Sequence, residues 1–196
     1  MAKSKKTHAK HPPLQILKQK LQTEGYGSEF VAAEEGDGFD TLLIPLDEFE
    51  EGEDQEAQYV LQAFFVEDMM RAEVEELPED ELPNFAMLQL MAEMPFSWEN
   101  VAKDRFAEGM ALLNVCSQKI PFGQFNLDGE TIVYTYSYPS ESQKLNVSLI
   151  TSMLDMMSFF INRMAPVFEQ FSLSDMNLEQ AFDALESHIL EEESAE

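Results

Sequence analysis

Seven of the ten residues from 47 to 56 are acids, the densest group of metal-capable oxygens in the chain. Read as a calcium loop, the run puts Asp47, Glu51 and Gly52 at the first, fifth and sixth places of the twelve-residue EF-hand pattern. The pattern then fails, because Phe49 takes the third place and Gln58 the twelfth, where a chelating carboxylate is required. The run also follows an expected strand instead of a helix, so it reads as a solvated acidic loop. His8 and His11 sit beside Lys10 near the start and His188 stands alone, so no metal site is expected. Cys116 is the only cysteine, which leaves no disulfide within one chain. It lies beside Leu112, Leu113 and Val115, and no histidine is near in sequence to lower its pKa, so it reads as a small core residue. There is no Gly-x-Ser-x-Gly elbow and no phosphate-cradling loop; Gly25-Tyr26-Gly27 ends a helix instead of opening one. With 38 acids no single carboxylate pair stands out as an acid–base couple. No catalytic residue and no cofactor is expected.

Charge is the stronger signal. The six lysines of the first 20 residues precede the first acid, Glu24, and the rest of the chain sets six basic residues against all 38 acids. A net charge of −26 repels nucleic-acid phosphates. With 44% hydrophobic residues the chain can still bury a substantial core. The most apolar stretch, 145–171, is interrupted by Asp155, Asn162, Arg163 and Pro166 and is no membrane span. The lysines at the start lack the apolar stretch of a secretory signal, so a cytoplasmic protein is expected.

The elements follow from periodicity and punctuation. Residues 1–11 read as a disordered basic tail and 12–196 as one α+β domain, with acidic loops at 47–57 and 67–83. Pro12 and Pro13 suit a helix start, with an apolar stripe of Leu14, Ile16, Leu17 and Leu21 ending at Gly25. A hairpin of 28–34 and 39–46 and a strand at 58–66 come next. Residues 67–82 read as an exposed connection, with one helical turn in part of it as the alternative, and 85–96 as a strand between Pro83 and Pro95. Ser97 or Asn100 is expected to cap a helix that runs to Lys119. Asp128-Gly129 marks a second hairpin, whose second arm puts Ile132, Tyr134, Tyr136 and Tyr138 on one face. A long helix starts at Asn146 or Ser148, runs to about Phe171 and is expected to bend near Pro166. Ser174-Asp175 is expected to cap a last helix with Met176, Leu178, Phe182, Leu185 and Ile189 inward. The order is α-ββββ-α-ββ-αα, an antiparallel sheet flanked by helices.

Residues 85–171 resemble the YbjN-type family of bacterial sensory-transduction regulators, whose fold is like that of type III secretion chaperones. The resemblance rests on Leu88-Gln89-Leu90 leading to Met94-Pro95-Phe96, on Ala111-Leu112-Leu113-Asn114, and on Pro121-Phe122-Gly123-Gln124-Phe125-Asn126-Leu127-Asp128-Gly129. Val133-Tyr134-Thr135-Tyr136 and the long helix follow in the family's order. The family tends to carry a second asparagine three residues after the first, where this chain has Ser117. The resemblance implies an α+β domain, often paired, with no established catalytic residues, and chaperones of this fold hold an extended partner segment on apolar patches or add it to a sheet edge.

These readings converge on a non-enzymatic protein-binding module, chaperone-like or regulatory. Its expected partner carries a basic or amphipathic segment. The residues expected to receive it are Asp47, Glu50, Glu51, Glu53, Asp54, Glu75 and Glu76 on the acidic rim, with Met153, Met157 and Phe160 on the long helix. That helix is apolar around much of its girth, so either the rest of the fold or a second copy must cover it. The basic tail is expected to fold back onto the rim and compete with the partner. A domain sensing a small molecule between sheet and long helix is the alternative, and an enzyme of unrecognised type has no motif in its favour.

Overall fold

The computed structural model describes residues 12–36, 38–46, 59–73, 86–99, 101 and 105–190. Helix α1 (Pro13–Thr23) starts as its two prolines dictate, with Pro12 extended at the N-cap and Pro13 in the first turn. It stops at Gly25, whose φ of +95° lets the Tyr26 amide reach back to the Leu21 carbonyl at 3.0 Å. Leu14, Leu17 and Leu21 are buried, whereas Ile16, expected in the same stripe, faces solvent.

Strands β1 (Glu29–Val31), β2 (Thr41–Pro45), β3 (Val60–Phe65), β4 (Ala86–Ser97), β5 (Gln124–Asp128) and β6 (Thr131–Ser140) form one sheet in the order β1-β2-β3-β4-β6-β5. Every neighbouring pair is antiparallel. Segment 85–96, whose apolar pattern fits either period, is thus a strand, and its alternation places Leu88, Leu90, Ala92 and Met94 inward. Register then aligns Leu88 with Tyr138, Leu90 with Tyr136 and Ala92 with Tyr134. The tyrosine side of β6 therefore faces the core. The β5–β6 turn is made by Gly129 and Glu130, one residue later than expected, with Gly129 at φ +60°.

The connection after β3 departs from expectation. Residues 66–73 form a two-turn helix, α2 (Val66–Glu73). Glu67 explains it: its buried carboxylate accepts from the Met87 amide at 3.1 Å and the Gln143 amide group at 3.2 Å. Gln143 holds a left-handed φ of +56° to make that bond. Helix α3 (Phe106–Lys119) also starts late, with neither expected cap: Ser97 lies in β4, and Asn100 is outside the described residues. Arg105 precedes it and donates to the carbonyls of Phe171, Ser174 and Met176, its guanidinium 4.5 Å above the Phe171 ring. Helix α4 (Val147–Leu173) carries Pro166 within its length, and Asn146 caps it by accepting from the Leu149 amide at 3.3 Å. Helix α5 (Leu178–Leu190) is capped by Asn177 and Gln180, each side chain accepting from the other's amide, and not by Ser174-Asp175.

The main core lies between one face of the sheet and α1, α3 and α4, with α5 closing over α4 and α3. Trp98 plugs its far end, packed on Phe171 with ring centroids 5.9 Å apart. Gly109 of α3 meets it so closely that an added Cβ would lie 2.6 Å from the Trp98 ring.

Two predictions follow from this packing. In an isolated helix Ala is better than Gly by about 1 kcal/mol. Gly109→Ala is nonetheless expected to destabilise the protein by about 1–3 kcal/mol through overpacking against Trp98, read as a lower Tm. The Asp68 carboxyl is raised above its usual 3.8, first by burial and then by the Glu67 charge, against the pull of Arg71 at 2.9 Å. A carboxyl held above its unfolded pKa costs stability as pH rises through that interval. Asp68→Asn should therefore melt higher than the parent at pH 7 and lose this advantage near pH 3; equal shifts at both would count against the assignment.

Candidate functional site

Helix α4 organises the site. At 100° per residue its buried positions, from Ile150 through Met153, Met157, Ile161, Met164 and Phe168 to Phe171, fill one broad sector. One flank is fastened toward α1 and β2. There the Tyr26 hydroxyl donates to Asp155 and to the Thr151 carbonyl, and the Ser158 hydroxyl donates to the Leu46 carbonyl. The opposite flank belongs to α5, which returns antiparallel after the short 174–177 link. The Lys119 ammonium lies 3.9 Å from Glu186, so the far end of α5 sits beside the end of α3.

The two helices differ in length. Helix α4 has 27 residues and α5 has 13, so α5 covers only the C-terminal half of that flank. Under α5, Val167 is fully buried and Phe168 packs edge-on against Phe125 at 5.0 Å. Beyond its end, Leu149 is 45% and Met156 40% exposed, and Phe160 is half-buried. These three recur at helical spacing and form one apolar stripe. Tyr136 and Tyr138, on the core side of β6, are half-buried too, as is Phe122, whose ring centre lies 5.2 Å from that of Tyr136. Arg163 stacks 3.8 Å over Phe159 at the stripe's border.

The expected partner-binding residues separate. Asp47, Glu50, Glu51, Glu53, Asp54, Glu75 and Glu76 lie outside the described residues, as do the basic tail and the acidic end from 191. Met153 and Met157 are only 5% and 1% exposed, placed in the core of a single copy, while Phe160 stands at the rim. Leu149 and Met156 were not singled out by sequence. They lie at the edge of the helix's broad apolar sector, where periodicity alone does not say whether a neighbour covers them.

Ser117 of α3 occupies the middle of the β5 edge, accepting from the Phe125 amide at 2.9 Å and donating to its carbonyl at 3.3 Å. One hydroxyl thus takes both outward groups of Phe125 and obstructs an added strand there. The adjoining Gly123 is required by its φ of +75° and because a Cβ there would overlap the Tyr134 hydroxyl, which donates to the Phe122 carbonyl at 2.9 Å.

Reactive groups do not gather. Burial pushes the Cys116 thiol up to about 12, against a small opposing pull from Lys119, so it is protonated at neutral pH. Burial also raises the Tyr134 phenol, with Tyr136 adding to it. Among the described residues no three His, Cys, Asp or Glu side chains are placed to share a metal ion. Among the described residues two buried side-chain polar atoms lack partners, Ser28 Oγ and Trp98 Nε1, in the region before β1 and at the end of β4, three strands apart.

No known protein family matches the chain, and no curated protein matches it. The class is therefore defined by the fold: an α+β protein whose described residues form a six-stranded antiparallel sheet and five α-helices. No helix among the described residues is long and apolar enough to cross a membrane.

Cys116 provides a check on its own placement. Iodoacetamide at pH 8 is expected to leave the folded chain unlabelled and to modify it fully in denaturant; rapid labelling of the native protein would contradict a buried, protonated thiol.

Proposed function

We propose that this chain is a protein-binding module whose docking surface is the open flank of α4, and that its partner presents a basic amphipathic segment. The observation that carries the reading is the pair Leu149 and Met156, 45% and 40% exposed on α4, with half-buried Phe160 beside them. A net charge of −26 draws a basic segment in from a distance, and apolar contact holds it. The order of charge and contact suits a chain that binds extended or helical segments. The resemblance to YbjN-type regulators and secretion chaperones supports the same reading. Ser117, which stands where that family favours asparagine, bridges a backbone donor and acceptor, and an amide side chain could fill that role equally. The obstructed β5 edge favours docking on the helix over strand addition there.

The test is binding of a fluorescent lysine–leucine amphipathic peptide to the full chain and to Leu149→Glu/Met156→Glu. Both substitutions add negative charge, so purely electrostatic association would strengthen. The proposal expects about tenfold weaker binding instead, equivalent to about 1.4 kcal/mol, with unchanged Tm. Equal or tighter binding by the variant would discard it.

A further inference from the structure

Sulfur is the reactive element that this fold leaves within reach, and it does so at few places. Cys116 is buried and its thiol stays protonated, so no thiolate is presented. A thioether has no proton to lose, and for methionine access takes the place of pKa. Among the described methionines Met94, Met153, Met157 and Met164 are at most 5% exposed, whereas Met110 and Met156 are each 40% exposed. These two differ in their setting. Met110 belongs to α3 and has no part in the stripe on α4. Met156 stands one turn before Phe160 and two turns after Leu149, at the middle of that stripe. The residues on either side of it in sequence anchor the helix: Asp155 accepts from the Tyr26 hydroxyl, and Met157 lies in the core. A chemical change at the Met156 sulfur therefore alters the surface of α4 and leaves its packing alone.

We infer that Met156 is an oxidation site that controls docking: a hydroperoxide converts its thioether to the sulfoxide, and the stripe then no longer accepts an apolar segment. This control rests on the docking surface proposed on α4. In the reaction a lone pair on Sδ attacks the terminal oxygen of the peroxide, and the S–O bond forms as the O–O bond breaks. The proton of the attacked oxygen passes to the departing one, so hydrogen peroxide leaves as water and an alkyl hydroperoxide as its alcohol. Sulfur loses two electrons and the peroxide gains them. Both oxidants are neutral, so a net charge of −26 does not hold them off as it would an anion. The new oxygen is a hydrogen-bond acceptor that must be stripped of water before an apolar side chain can cover it. Leu149 and Phe160, its neighbours along the stripe, have no donor to give it. At Met153 or Met157 the same oxygen would have to enter the core, which makes oxidation there damage to the fold. At Met156 it changes binding alone, and sulfoxide reductases can reverse it.

The test treats the full chain with hydrogen peroxide, maps the oxygen by peptide mass spectrometry and titrates the product with the fluorescent lysine–leucine peptide. Met156 and Met110 are expected to gain oxygen well before Met153 and Met157, with the melting transition unchanged. Peptide binding is expected to weaken about tenfold and to recover after treatment with methionine sulfoxide reductases. Met110→Leu is expected to show the same loss on oxidation as the parent. Met156→Leu, compared with itself, is expected to bind the peptide equally before and after peroxide. Oxidation of Met153 or Met157 as fast as Met156, undiminished binding by a chain oxidised at Met156, or an equal loss in Met156→Leu would overturn the site and leave the docking surface standing. Failure of the untreated chain to bind the peptide would instead remove the docking surface, and the control with it.

Discussion

The pairing of β4 with β6 is the constraint on which the rest of the molecule depends. Eight consecutive residue pairs, from Ala86 with Ser140 to Glu93 with Val133, place leucines and alanines beside tyrosines on one side. The amides, hydroxyls and methionines fall on the other. Because side chains alternate along a strand, a slip of one residue would exchange the two faces. Tyr134 pins the alignment through its bond to the Phe122 carbonyl, made over a glycine that no other residue could replace without a clash. The surrounding contacts inherit that register. Ser117 reaches both backbone groups of Phe125 only because β5 is held against Tyr134, and Glu67 reaches the Met87 amide only because β4 starts where it does.

Charge plays a different part. It neither builds the sheet nor selects its partners within the fold. The two ion pairs among the described residues, Arg71 with Asp68 and Lys119 with Glu186, are largely exposed and contribute little to stability. Glu67 is the exception, a carboxylate taken out of water and given two donors in exchange. Elsewhere the described acids stay out of the core, and Glu93 is the one acid on the four central strands, so apolar and neutral surfaces stand as windows in an acidic body. Such a distribution opposes indiscriminate association and leaves particular faces open to it.

Sequence carried the elements well and the site poorly, for different physical reasons. Strand alternation, the prolines before α1, Gly25 and the Asp128-Gly129 turn act locally, and the structure follows them to within a few residues. The misplaced features depend on distant partners. Helix α2 forms in a run of acids because Glu67 finds Met87 and Gln143, 20 and 76 residues away. Helix α3 starts at Phe106 because Arg105 is tied to carbonyls at the end of α4. Within α4 the apolar sector is broad, with Met153 and Met157 near its middle and Leu149 and Met156 at one edge, so periodicity marks the first pair as core and leaves the cover of the edge undecided. Tertiary cover decides, and it comes from the one helix whose length sequence defines least well.

Helix α5 is described as far as Leu190, and the sequence that follows, Glu191, Glu192 and Glu193, carries no apolar side chain. Burying a leucine or methionine side chain fully is worth about 1.5–3 kcal/mol, so Leu149 and Met156, nearly half exposed, each leave about 1 kcal/mol unrealised. A segment that sheathed both would recover about thirtyfold in affinity before its own ordering cost is counted. The docking proposed above would return to the fold the stability that this exposed stripe leaves unrealised.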